Sequence, residues 1–280
     1  MVVLALAVRW RRARTAGVFH FVTVGRTMSD QLVKAYLNLH AVMLNLEDLV
    51  EHDPVAQSIC RNWKVSIQFA VVHGPSVRIV FEKGRCRVTP GFRLNSDILL
   101  LFASGAHLNK VMENKGMPIL TRGLTRLPFL LKEFPKLTKR MEEVLKPAAG
   151  AVEDPAFLAL HTRLLLQTVG FAAAALSLRD PKSMLAASKI RDGIVALKVL
   201  PSGPGVLLES RKGTLTASRG MSPRPTACLE FRDVTTAQRF LSGTIDPFTA
   251  IALGEVEIRG QTPMLDSLSL ILDRVEHYLK

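Results

Sequence analysis

The chain has 280 residues, 48% of them hydrophobic, and a formal net charge of +13. That length and apolar content suffice for one large or two ordinary domains with real cores and exclude disorder as the default state. Three widely spaced cysteines, Cys60, Cys86 and Cys228, fit a reducing cytoplasm better than a disulfide framework, and no CxxC or His/Cys cluster calls for a metal or other cofactor.

Residues 1–27 carry five arginines and no acid, which leaves +8 on the remainder. An apolar run precedes the charges, the reverse of a secretory signal. Three readings stay open: a start assigned too early, with Met28 the true first residue; a disordered basic tail; or an amphipathic targeting peptide. From Ser29 to about residue 50, Leu32, Tyr36, Met43 and Leu46 form a helical stripe. Alternating strands are expected at 65–72, 77–82 and 97–102, separated by glycine-rich hairpin signals. A basic stretch follows over 112–146. In it Leu127, Leu130, Leu131, Phe134, Leu137, Met141, Val144 and Leu145 make one apolar face, opposed by Lys132, Lys136, Lys139, Arg140 and Glu143, and Pro135 should kink the helix over 127–145.

The next helix, 154–178, includes the run LLLQTVGFAAAALSL, whose Gln167, Thr168 and Ser177 mark a buried helix rather than a membrane span. Strands are expected again at 193–200, 205–210, 213–219 and 226–232. In GTIDPFTAIALGEVEIRG (243–260), Asp246 can cap a short helix that Pro247 begins and Gly254 ends. Phe248, Ile251 and Ala252 fall at i, i+3 and i+4, so they are expected to share a face. Val256 and Ile258 then alternate with charges in a half-buried strand, and a helix over 262–279 closes the chain.

The two halves repeat one another. VSIQFAVVHGPSVRIVFEKGRCRVTPG (65–91) matches GIVALKVLPSGPGVLLESRKGTLTASRG (193–220), with Gly74, Gly84 and Gly91 answering Gly203, Gly213 and Gly220. The Asp-Pro pairs at 53–54 and 180–181 also correspond, as do His40 and His161. One difference is large: the interval Gly116–Gly123 is far shorter than Gly243–Gly260, so the first half lacks most of the Asp-Pro helix. Helices at both ends of a run of strands argue an α+β sheet with helices packed on one face. The expected domains are 28–147 and 150–280, after the extension 1–27. The Gly-Pro pairs read as hairpin turns, and the two histidines as semi-buried residues without a catalytic neighbour.

The segment 225–272 resembles the carboxy-terminal half of the sterol carrier protein domain, the non-specific lipid-transfer family. LEFRD, AQRFLSG, TIDP, FTAIALG, EVEIRG and TPMLDSLSLILDRV stand in that family's order. The likeness is good over roughly 190–280 and fair over 63–146, so the chain reads as two tandem copies with the first degenerate. The resemblance implies a layer of antiparallel strands covered by helices, with an apolar tunnel for a fatty acid, acyl-CoA, sterol or isoprenoid. It implies no catalytic residue and no enzyme activity. The expected lipid-binding residues are Phe231, Phe240, Leu241, Phe248, Ile251, Ala252, Val256, Ile258, Met264, Leu268 and Leu272.

The basic stretch has two readings: a domain-capping helix with a solvated face, or a membrane-surface helix using Lys132, Lys136, Lys139 and Arg140. Nucleic acid fits it less well, since it has few aromatics to stack and no recognisable binding motif. The function expected is a non-catalytic lipid carrier in the cytoplasm, peripheral on the membrane. The alternative is an accessory protein that presents a quinone or isoprenoid intermediate to biosynthetic partner enzymes.

Overall fold

The computed structural model describes residues 28–222 and 224–279, so the readings of 1–27 lie outside the described residues. The chain divides into two compact units, 30–168 and 169–280, each built around a five-stranded sheet. The boundary falls at Thr168/Val169 within a helix, whereas the sequence places it near 147–150. Two buried polar pairs tie the middle of that helix to the first unit: Asn45 donates to Thr168 at 2.6 Å, and Gln167 donates to Asp48 at 2.9 Å.

In the first unit, α1 (Asp30–Leu37) passes through a π turn at Asn38–Val42 and leads to α2 (Asn45–His52) and α3 (Pro54–Cys60). Strands β1 (Val65–Val71), β2 (Ser76–Glu82) and β3 (Arg85–Pro90) form two successive hairpins. The second turns on Lys83 and Gly84 with φ of 53° and 70°, the paired left-handed conformation that a two-residue hairpin loop requires. Next come β4 (Ile98–Phe102), α4 (Gly105–Met112), β5 (Ile119–Arg122) and the closing α5 (Phe134–Leu145). Pro135 has no N–H to donate, and the turn before it, Phe129–Glu133, widens to a π turn where the sequence predicts a kink.

The second unit repeats this plan. It takes in the end of α6 (Pro155–Leu176), then α7 (Pro181–Ala187), β6 (Gly193–Val199), β7 (Gly205–Arg211), β8 (Thr214–Arg219) and β9 (Ala227–Phe231). The remaining elements are α8 (Val234–Leu241), α9 (Pro247–Ala252), β10 (Val256–Gly260) and α10 (Thr262–Leu279). Lys212 and Gly213 reproduce the left-handed hairpin turn with φ of 49° and 75°. The strand orders are β3-β2-β1-β4-β5 and β8-β7-β6-β9-β10, and β1–β4 and β6–β9 are parallel while all other neighbours are antiparallel. The α+β class holds. The sheets, however, are mixed rather than wholly antiparallel, because a crossing segment after the second hairpin delivers β4 and β9 beside the first strand of their sheets. In the first unit that segment is pinned by Gln68, which donates to the Gly91 carbonyl at 3.1 Å and accepts from the Arg93 amide at 2.9 Å.

A shared clamp joins the start and end of each unit. Asp53 caps α3 and receives two bonds from Arg140 of α5, at 2.7 and 3.1 Å. Asp180 caps α7 and receives two from Arg274 of α10, at 3.2 and 3.0 Å. Tyr278 adds a bond to Asp180 at 2.8 Å. Although burial would raise the Asp180 carboxyl, these donors and the Ser183 amide outweigh it and lower the pKa to about 2. Aligning Arg140 with Arg274 also aligns the inward faces of the closing helices. Phe134, Leu137, Met141 and Val144 correspond to Leu268, Ile271, Val275 and Tyr278, all buried.

Helix α6 is long and apolar enough to cross a membrane, with a mean hydropathy of 1.3 over its most apolar window, yet 72% of that window is buried within the protein. Gly170 explains part of the close packing: a Cβ there would collide with the Val206 side chain on β7. Between α4 and β5 the chain has only the connection 113–118, whereas α9 intervenes between α8 and β10. The first unit therefore lacks that helix.

Candidate functional site

The second unit contains an apolar cavity of about 70 Å³ between its sheet and its covering helices. Its floor is a row of three side chains on adjacent strands, Leu197, Leu229 and Ile258, which the register places opposite one another. Over them lie Leu265, Leu268 and Leu272 of α10, spaced at i, i+3 and i+7 along one helix face. Phe240 of α8 and Pro247 and Ile251 of α9 close one side. Thr262, Asp266, Ser269 and Asp273 supply the polar part of the lining, and the Ser269 hydroxyl donates to the Asp266 carbonyl at 2.7 Å.

Five of the eleven sequence-predicted residues line this space: Phe240, Ile251, Ile258, Leu268 and Leu272. Phe231, Leu241, Val256 and Met264 are buried in the surrounding core, and Phe231 meets Phe240 edge to face with ring centroids 5.3 Å apart. Phe248 and Ala252 face outward, Phe248 with 52% of its surface exposed. The cap at Asp246 sets the phase of α9 so that Pro247, Ala250 and Ile251 turn inward. A six-residue helix has two overlapping i, i+3, i+4 sets, and the sequence reading took the outward one. Leu197, Leu229 and Leu265 were missed. Leu229 lies two residues before Phe231 on the same strand face, a spacing that could have found it.

The lining is mostly apolar and offers solvation of an apolar group. It contains no thiol, histidine or lysine. Cys228 neighbours Leu229 but points to the opposite face of β9, where burial pushes its thiol up to about 11. Cys60, in the first unit, is pushed up to about 12 by burial. His40 and His161 each have a ring nitrogen within hydrogen-bond distance of a backbone carbonyl, of Ser76 and Val144 respectively. Among the described residues, no group of three or more His, Cys, Asp or Glu side chains could hold a metal ion.

In the first unit aromatic rings stand at the equivalent positions. Phe69 of β1 stands where Leu197 stands in β6, and Phe134 where Leu268 stands in α10. Their ring centroids are 6.2 Å apart, and Phe69 also stacks on Phe102 at 6.1 Å. Phe129 extends the cluster from Phe134 to Trp63, which in turn meets Phe81.

The expected membrane-surface helix divides into two parts. Phe134, Leu137, Met141 and Val144 of its apolar face are buried, whereas Leu127 and Leu131 are exposed. Of its cations, Arg140 is spent on Asp53, whose hydrogen bond raises the guanidinium pKa, and Lys136 pairs with Glu133 at 3.0 Å. Lys132 and Lys139 are exposed.

Fold and cavity together define an α+β protein of two similarly wound units, one of which holds a mainly apolar cavity. No family model matches the sequence, and no curated protein matches it. Among solved structures, sterol carrier protein 2 aligns at 22% identity over 41% of this chain and 95% of its own, with a TM-score of 0.32. The UbiJ-SCP2 ubiquinone synthesis protein aligns at 13% identity over 41% of this chain and 93% of its own, with a TM-score of 0.31. Sterol carrier protein 2 like 2 from Aedes aegypti aligns at 11% identity over 40% and 94%, with a TM-score of 0.29.

Proposed function

We propose that the second unit holds the hydrocarbon part of a lipid, a fatty acyl, sterol or isoprenoid chain, and that the protein acts as a non-catalytic carrier built from two tandem units of sterol-carrier type. The observation that carries this reading is the cavity itself: leucines, two isoleucines and Phe240 surround a gap at the place where Phe69 and Phe134 meet in the first unit. The binding residues are the lining side chains Leu197, Leu229, Phe240, Ile251, Ile258 and Leu268.

At about 70 Å³ the space is smaller than the ~300–1,000 Å³ of typical ligand sites, so uptake of a long chain requires a wall to move. Helix α9 is the wall that moves at least cost. It is six residues long and buries only Pro247 and Ala250, while Leu253 just after it is exposed. Native mass spectrometry of the purified full chain, with organic extraction of what it releases, tests the proposal. One lipid per chain is expected, and Leu229→Trp should abolish it by occupying the gap. Undiminished lipid loading in that variant would contradict the assignment.

A further inference from the structure

A second surface, in the first unit, exposes a run of large apolar side chains. Met117, Ile119, Leu124, Leu127 and Leu131 are 75%, 46%, 74%, 40% and 58% exposed. A single exposed leucine is ordinary, but five large apolar side chains within fifteen residues make a patch. The backbone over Leu124–Glu133 runs in right-handed helical turns, a 3₁₀ turn followed by the π turn. Leu124, Leu127 and Leu131 therefore follow one another at i, i+3 and i+7 as an outward stripe, while Phe134 turns into the core.

This segment is anchored at its start and near its middle. The His107 ring lies 2.8 Å from the Met117 carbonyl. Gly123 adopts φ of 93° so close to β4 that a Cβ would come within 2.8 Å of the Asp97 carbonyl. Charge accompanies the apolar stripe: from Lys115 to Lys139 there are six lysines and arginines against one acid, Glu133. Arg126 and Lys132, both exposed, alternate with the leucines.

We propose that the stripe 117–131 docks the protein on an anionic bilayer, with Leu124, Leu127 and Leu131 inserted at the level of the headgroups and Arg126, Lys132 and Lys139 near lipid phosphates. Charge complementarity selects this occupant over a second copy of the chain, because a symmetric contact through the patch would set its own cations against themselves. The surface lies in the first unit, and its function does not depend on whether the cavity of the second takes a lipid.

Vesicle flotation of the full chain tests the proposal, using phosphatidylcholine alone or with about 30% phosphatidylglycerol. Anionic vesicles should capture the protein, with partition lower by about tenfold or more on neutral vesicles and in about 0.5 M salt. L124E/L131E should lose anionic binding by about tenfold or more, and R126E/K132E by about tenfold. All four positions are exposed, so both variants should keep the parent melting temperature and uptake of a fluorescent fatty acid. Three results would overturn the proposal. One is no capture of the parent by anionic vesicles. Another is equal capture of the parent and L124E/L131E, which would place the contact elsewhere in the chain. The third is a dimer in light scattering that L124E/L131E dissolves, which would make the stripe a self-association surface.

Discussion

The two units share strand order, the parallel central pair, the hairpin turn and the Asp–Arg clamp, yet they treat the space beneath the closing helix differently. In the first, Phe69 and Phe134 meet across it and Phe102, Phe129, Trp63 and Phe81 extend the contact. In the second, Leu197 and Leu268 occupy the corresponding positions and leave a gap, with α9 added as a side wall. Leucine is smaller than phenylalanine, and unfilled volume in a core costs stability unless function retains it. Shared framework residues hold the fold, and two positions beneath the closing helix carry rings in the first unit and leucines in the second.

The largest expected effect lies at the closing helices. Phe134→Ala should destabilise the protein by about 3–5 kcal/mol, the range for a truncated core phenylalanine. Leu268→Ala should cost about 2 kcal/mol, the lower end for leucine, because its side chain already borders a void. Chemical denaturation of both variants checks this. Equal losses would mean that Leu268 packs as tightly as Phe134 and that the gap carries no consequence.

The clamps come next and should behave alike if the framework is common to both units. Arg140→Ala and Arg274→Ala each leave a buried carboxylate without its partner, at a cost of about 3 kcal/mol. Asp180 adds a pH signature. Its folded pKa, about 2, lies below the ordinary 3.8, so its contribution is complete above that ordinary value and is lost as pH falls through about 2. The destabilisation caused by Asp180→Asn should therefore be constant from neutral pH to about 4 and shrink below it. Denaturation midpoints of parent and variant across that range decide the matter, and a cost that persists at pH 2 would mean that the carboxylate charge is not what the clamp uses.

The smallest stability effect is expected from making the second unit resemble the first. Leu197→Phe should change stability by less than about 1.5 kcal/mol, since the added ring enters existing space rather than a packed core. Lipid uptake should fall sharply in the same variant.

Much of this framework could be read from local pattern. Alternation located most strands, glycine-rich turns marked the hairpins, and Asp246-Pro247 marked α9. The Asp-Pro pairs at 53 and 180 were recognised as a repeat, but their arginine partners lie 87 and 94 residues away and carry no local signal. The parallel pairs escaped for a similar reason, since adjacency of β1 to β4 is decided by where a crossing segment lands. Cavity and core were indistinguishable by residue type alone: Leu268 and Met264 are both apolar positions of α10, and only the surrounding side chains leave space at one and none at the other.

The most direct test is the stoichiometry of a fluorescent fatty acid bound to the full chain, measured by titration for the parent, for Leu197→Phe and for Phe134→Leu. The account predicts one site in the parent, none in Leu197→Phe, and an unchanged site in the second unit of Phe134→Leu. Two sites in the parent, or a site that survives Leu197→Phe and disappears with Phe134→Leu, would contradict it.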